Sequence, residues 1–152
     1  MIYVAYGSNM AKEQMAVRCP DARLIGTGYI EGAQLEFYLH ATVVRSRIKT
    51  SRSSAPTRVP VAVWEISEQD EQRLDCYEGY PDYYIKKTWP VRMADGSVIK
   101  GMLYLMNIIR TAPPAKSYYK GIANAYIALG FASEIKTVLE PALRRSFERT
   151  RR

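Results

Sequence analysis

The chain has 152 residues and a formal charge of +7, with 47% hydrophobic and 24% charged residues, the balance of one soluble globular domain spanning 1–152. No apolar run reaches the ~20 residues that cross a bilayer, and Met1 to Tyr6 reads as a strand and not as a signal peptide, so a cytoplasmic protein with no membrane attachment is expected. The two cysteines, Cys19 and Cys76, and the single histidine, His40, are too few for a structural zinc site, and a Cys–His catalytic pair would have to use His40.

Residues 2–6 alternate apolar and aromatic types as a buried strand does. Gly7-Ser8-Asn9 interrupts it, and Met10 to Arg18 continues with helical spacing, Ser8 or Asn9 supplying an N-cap oxygen. Strand-like runs follow at 23–30 and 35–44, with His40 read as a structural residue at a strand end. The Ser-rich stretch 46–58, part of a block with Arg45, Arg47, Lys49, Arg52 and Arg58, is expected to be a flexible basic loop. Residues 59–66, rich in Val, form a strong strand. Ser67 and Asp70 make a capping box for a helix that ends at Gly79.

Residues 83–93 and 97–107 read as two strands of a hairpin joined by Ala94-Asp95-Gly96. Pro113 and Pro114 mark a connection, and 118–129 is a helix with Tyr118, Ile122, Ala125, Tyr126 and Leu129 on one face. Ser133 is expected to cap a last helix, which runs into a basic tail over 144–152. About six short strands and three or four helices make an α+β domain whose sheet can close into a barrel.

Three features offer chemistry. Backbone N–H groups after a strand-to-helix glycine turn can hold a carboxylate or a phosphate, although Tyr6-Gly7-Ser8-Asn9 also reads as an ordinary capped turn. Glu78 sits at a helix end with Tyr77, Tyr80, Tyr83 and Tyr84 near it in sequence; desolvation by aromatic rings would raise its pKa toward that of a base, whereas a solvated helix-end Glu would be inert. Twelve tyrosines are many, and Tyr118 and Tyr119 after the proline turn can aim a hydroxyl into a cleft or simply pack. The basic segments 46–58 and Arg144, Arg145, Arg149, Arg151 and Arg152 can in principle bind phosphate backbones, but no aromatic–basic recognition motif accompanies them, so nucleic acid is not the expected partner.

Three motifs then coincide in order and spacing. Tyr3-Val4-Ala5-Tyr6-Gly7-Ser8-Asn9-Met10 resembles the opening signature of the γ-glutamylcyclotransferase family, including its AIG2-like bacterial branch; Leu74-Asp75-Cys76-Tyr77-Glu78-Gly79 is similar to the signature that carries the family's catalytic Glu; and Ala112-Pro113-Pro114 with Tyr118, Ile122 and Gly130 is similar to a third, where a Tyr lines the substrate pocket. The resemblance runs from about Ile2 to Phe131. It implies a mixed β-barrel with flanking helices. It also implies a γ-glutamyl substrate bound by Tyr3, Val4, Ala5, Tyr6, Gly7, Ser8 and Asn9, with Tyr84 and Tyr118 lining the pocket and Glu78 as general acid and base. The reaction so implied is an intramolecular attack that releases 5-oxoproline, with neither metal nor cofactor, in a monomer or homodimer. Ala125 stands where many members have Gly, and 46–58 and the arginine-rich end match none of the family's motifs. The competing expectations are an inactive small-ligand binding protein of the same fold and, further off, a basic nucleic-acid-binding protein.

Overall fold

The computed structural model describes residues 1–46 and 57–151. Its elements in chain order are β1 (Ile2–Ala5), a 3₁₀ turn (Ser8–Met10), α1 (Lys12–Arg18), β2 (Arg23–Glu31), β3 (Ala33–Tyr38), β4 (His40–Arg45), β5 (Arg58–Glu65), α2 (Glu68–Glu78), β6 (Tyr84–Met93), β7 (Val98–Met106), α3 (Lys116–Ala128), a π-helical turn (Ile135–Leu139) and α4 (Glu140–Thr150). Five strands close into a barrel in the order β1-β5-β2-β6-β7, and β3 and β4 form a separate two-stranded sheet. The α+β barrel architecture expected from the sequence is the one observed. No helix among the described residues is long and apolar enough to cross a membrane.

Closure depends on β1 and β7. They run parallel with Tyr3 opposite Met102, while every other barrel pair is antiparallel. A short first strand can sit between two long ones because β5 is buried on both faces, with Val59, Val61, Ala62 and Val63 all inaccessible. Gly28 is needed where β2 meets β6: a Cβ there would lie 2.4 Å from the Arg92 carbonyl oxygen.

Local signals explain several boundaries. The Ser67 hydroxyl accepts from the Asp70 N–H, and the Asp70 carboxylate accepts from the Ser67 N–H in return, so the capping box is complete. Gly79 ends α2 at φ 67, in the left-handed region that glycine enters without penalty, and so fixes where the chain leaves Glu78. In α3, Ile122, Ala125 and Tyr126 are the buried face. Alanine in place of glycine at 125 is accommodated in that packed surface.

Other expectations are corrected. The run 35–44 is two strands, with Tyr38 opposite His40 and the chain reversing at Leu39. Leu39 has φ 67 without being glycine, so nothing in the local sequence announces the turn; it is held from outside, the Leu39 N–H donating to the Ala112 carbonyl at 2.6 Å. His40 therefore begins a strand and is exposed. The helix expected from Met10 starts at Lys12, and neither Ser8 nor Asn9 caps it. Their side-chain oxygens instead accept from the Arg18 guanidinium, at 3.2 and 2.6 Å. Ser133 caps nothing: the π-helical turn begins after Glu134 with no side-chain cap. Arg58 belongs to β5, and residues 47–56 of the expected basic loop 46–58 lie outside the described residues.

The arginine-rich end is a helix through Thr150, docked on β3. Arg145 and Arg149 reach the Glu36 carboxylate at 2.9 Å each and donate to the carbonyls of Leu35 and Phe37.

Candidate active site

A cavity of about 480 Å³ opens between one end of the barrel, the C-terminus of α2, the start of α3 and the β3–β4 turn. That is an ordinary size for a small-molecule site. Tyr3, Val4, Tyr6, Gly7, Ser8, Asn9, Glu78, Tyr84 and Tyr118 all line it. Segments scattered through the sequence thus converge on one hollow. Ala5 does not line it; it is buried in the barrel wall.

The glycine turn forms one wall. Met10 N–H closes it by donating to the Gly7 carbonyl at 3.0 Å, and the Asn9 carbonyl is fixed by the Trp64 indole N–H at 3.1 Å. The backbone N–H groups of Gly7, Ser8 and Asn9 donate to no protein acceptor among the described residues. Unpartnered amides on a cavity wall are an invitation to an anionic or carbonyl oxygen. A Cβ at Gly7 would make only ordinary contacts, 3.5 Å from both the Tyr118 hydroxyl and the Ala41 Cβ, so the turn lies against the start of α3 and of β4.

Glu78 faces the same space. Its carboxylate has no hydrogen-bond partner among the described residues. Burial pushes its pKa up to about 7, opposed by the Arg18 guanidinium. Of its sequence neighbours, Tyr77, Tyr83 and Tyr84 line the cavity with it, although Tyr77, Tyr80 and Tyr83 are themselves exposed. The phenols that share its electrostatic environment are Tyr3 and Tyr6 beside it from the β1 end, Tyr84 from β6, Tyr104 from β7 and Tyr118 from α3. Burial raises the pKa of each, so all five stay protonated.

Their hydroxyls are not equivalent. Tyr6 donates to the Tyr104 carbonyl, Tyr84 to the Ala41 carbonyl at 3.1 Å, and Tyr104 to the Asp75 carboxylate at 2.6 Å. Those three protons are committed. Tyr3 accepts from the Asn9 amide at 2.9 Å, and Tyr118 accepts from the Ala41 N–H at 3.0 Å. Their own O–H hydrogens remain free for a ligand. The site therefore offers two phenolic donors, three free amides and one carboxyl able to take and return a proton near neutral pH.

Two further residues support the site. Arg18 touches Ser8, Asn9 and the Tyr77 hydroxyl, lies with its guanidinium 3.4 Å from the Tyr77 ring centroid, and acts electrostatically on Glu78. It is a solitary arginine at the end of a short helix, and only its long-range partners reveal it. Asp75, one turn before Glu78, accepts from the Lys86 ammonium at 2.9 Å and from Tyr104, so it anchors the end of α2 to β6 and β7.

Residues 3–121 match the sequence family described as Gamma-glutamyl cyclotransferase, AIG2-like. The Gamma-glutamylcyclotransferase of Mus musculus is 27% identical over 144 residues, 91% of this chain and 77% of that protein. The protein of the same description from Homo sapiens is 28% identical over 130 residues, 78% of this chain and 66% of its own length. Among solved structures, one described as Gamma-glutamyl cyclotransferase superposes with a TM-score of 0.76 at 24% identity, covering 90% of this chain and 86% of that one. An uncharacterized protein from Homo sapiens superposes at 0.75 with 25% identity over the same shares. The chain belongs to the AIG2-like gamma-glutamyl cyclotransferase family.

Proposed function

We propose that the protein cyclises the γ-glutamyl group of a γ-glutamyl amide or γ-glutamyl amino acid to 5-oxoproline, releasing the amine, with Glu78 as general base and then general acid. The observation that carries this reading is a carboxyl with a pKa of about 7 and no protein partner among the described residues, facing a wall of free amides. A carboxyl so placed is costly for folding, and carboxyls perturbed in this way concentrate where protons are moved.

In this reading the free N–H groups of Gly7, Ser8 and Asn9 hold the substrate's α-carboxylate, which curls the flexible glutamyl chain toward its own γ-carbonyl. Glu78 removes a proton from the α-ammonium. The amine nitrogen attacks the γ-carbonyl carbon, forming the lactam C–N bond, and the tetrahedral oxyanion accepts from the Tyr118 or Tyr3 hydroxyl. The bond to the leaving nitrogen then breaks as Glu78 returns the proton to it; the second proton that the ring nitrogen sheds passes by the same carboxyl to the released amine, which departs as an ammonium and leaves a neutral lactam. Atoms balance with no water or enzyme nucleophile. Effective molarity supplies much of the rate, because the nucleophile and the carbonyl belong to one molecule.

The test is 5-oxoproline release over a panel of γ-glutamyl compounds, with Glu78→Gln as control. The variant is expected to bind substrate and to lose turnover by about 10²–10⁴-fold. Near-normal turnover by Glu78→Gln would sink the assignment. A fold-preserving protein that binds γ-glutamyl compounds and releases no 5-oxoproline from any of them would be a ligand-binding relative instead. The retained, uncompensated Glu78 favours the enzyme, since a binding protein gains nothing from it.

A further inference from the structure

The proposed chemistry leaves part of the cavity's lining without a role. His40 at the β3–β4 turn, Tyr83, and Met106, Ile108 and Arg110 at and after the end of β7 also line the cavity. Among the described residues that line the cavity, Glu78 is the only carboxylate and Arg110 the only permanent cation. Arg110 makes no ion pair among the described residues; its guanidinium rests 5.7 Å from the centroid of the Tyr83 ring. The other nearby cation, Arg18, does not line the cavity and is tied to Ser8, Asn9 and Tyr77.

The two cations also act on different groups. Arg18 acts on Glu78, whereas Arg110 acts on His40, whose ring stands edge-on to Tyr118 with centroids 5.2 Å apart. Partial desolvation at the cavity's edge and the Arg110 charge both hold the imidazole of solvent-touching His40 below its usual pKa, so it is neutral at pH 7 and offers an N–H. A γ-glutamyl group anchored on the Gly7–Asn9 amides, with its amine at Glu78, must point its leaving amine away from that wall. The rest of the lining presents a guanidinium with no ion pair among the described residues, a neutral imidazole and the apolar side chains of Met106 and Ile108.

We infer that Arg110, with His40, forms the subsite for the leaving amine and selects an amine that carries a carboxylate. This rests on the cyclotransferase reading and adds a residue that sets its specificity. The carboxylate pairs with Arg110, and the side chain of the departing amino acid lies on Met106 and Ile108. Simple amines and cationic amines gain nothing from that contact, and cationic ones are repelled by it. Because Arg110 is exposed, its effect is that of a charge-assisted hydrogen bond in partly screened surroundings.

The experiment compares γ-glutamyl-alanine with γ-glutamyl-alaninamide, which differ in that charge alone. The wild type is expected to favour the carboxylate about tenfold in kcat/KM, mostly through KM. Arg110→Gln is expected to cut the preference to about twofold, and Arg110→Lys to keep most of it. Equal efficiency on the two substrates, or a preference that survives Arg110→Gln, overturns the subsite while leaving the cyclotransferase reading in place, since 5-oxoproline is still released. Release from neither of these by the wild type, while another γ-glutamyl amide of the panel yields 5-oxoproline, overturns the subsite alone; release from no compound of the panel removes the cyclotransferase reading and the subsite with it.

Discussion

Two glutamates illustrate how one residue type divides between structure and chemistry. Glu36, on β3, is 5% exposed and accepts from Arg145, Arg149 and the Gln34 amide at 2.6–2.9 Å. Glu78, at the end of α2, is also largely removed from water but accepts from nothing among the described residues, and the cation nearest in effect, Arg18, is already engaged by three other groups. A compensated carboxylate pins the C-terminal helix to the sheet. An uncompensated one has its pKa lifted to about 7, where it exchanges protons with a substrate.

The contrast is sharpest in exchange experiments. Glu78→Gln should abolish most turnover, by about 10²–10⁴-fold, and leave the fold intact. Glu36→Gln should do the reverse: it should cost about 2–4 kcal/mol of stability, because two arginines lose their carboxylate, while turnover per folded molecule stays near wild type. Denaturant melts paired with the 5-oxoproline assay separate the two. Equal activity loss in both variants would break the comparison.

A second consequence concerns pH. The folded pKa of Glu78 lies above its ordinary value of 4.5, so the folded state binds the proton more tightly than the unfolded chain. Its contribution to stability is full below about 4.5 and is lost as pH rises through about 7. Relative to wild type, Glu78→Gln should therefore be similar at pH 4 and more stable at pH 8, by on the order of 3 kcal/mol. Thermal melts of both proteins across that range would show the gap opening. A constant gap would mean that Glu78 is solvated.

Arg18→Met removes the cation that opposes this shift and frees the Ser8 and Asn9 side chains. The apparent pKa of the acid limb of kcat/KM should move further up, and KM should rise several-fold as the amide wall loosens. Asp75→Asn gives the smallest effect, a several-fold fall in kcat, because α2 keeps its cap at Gly79 but loses charge on its tie to Lys86 and Tyr104. A change in KM alone in that variant would argue against its role in aiming Glu78.

What was legible in the sequence was local. The Ser67 capping box, Gly79 after Glu78 and the Asp95-Gly96 turn each carry their cause within a few residues, and each is found as read. What was not legible depends on distant partners. The turn at Leu39 has no glycine or proline and exists because Ala112, Tyr84 and Tyr118 hold the Leu39–Ala41 backbone from other elements. Ser8 and Asn9 are good capping residues by type, but Arg18 claims their oxygens. Tyrosine content promised a phenolic pocket; it could not say that Tyr3 and Tyr118 keep a free O–H while Tyr6, Tyr84 and Tyr104 do not. Of the tyrosines near Glu78 in sequence, Tyr77, Tyr83 and Tyr84 line its cavity, while Tyr3, Tyr6, Tyr104 and Tyr118 join them from distant elements.

The most direct test of an uncompensated Glu78 is the pH dependence of kcat/KM for 5-oxoproline release by the wild type. The account predicts activity rising with pH through an acid limb with an apparent pKa of about 7. A limb at the ordinary carboxylate value near 4.5, or a flat profile between pH 5 and 8, would contradict it.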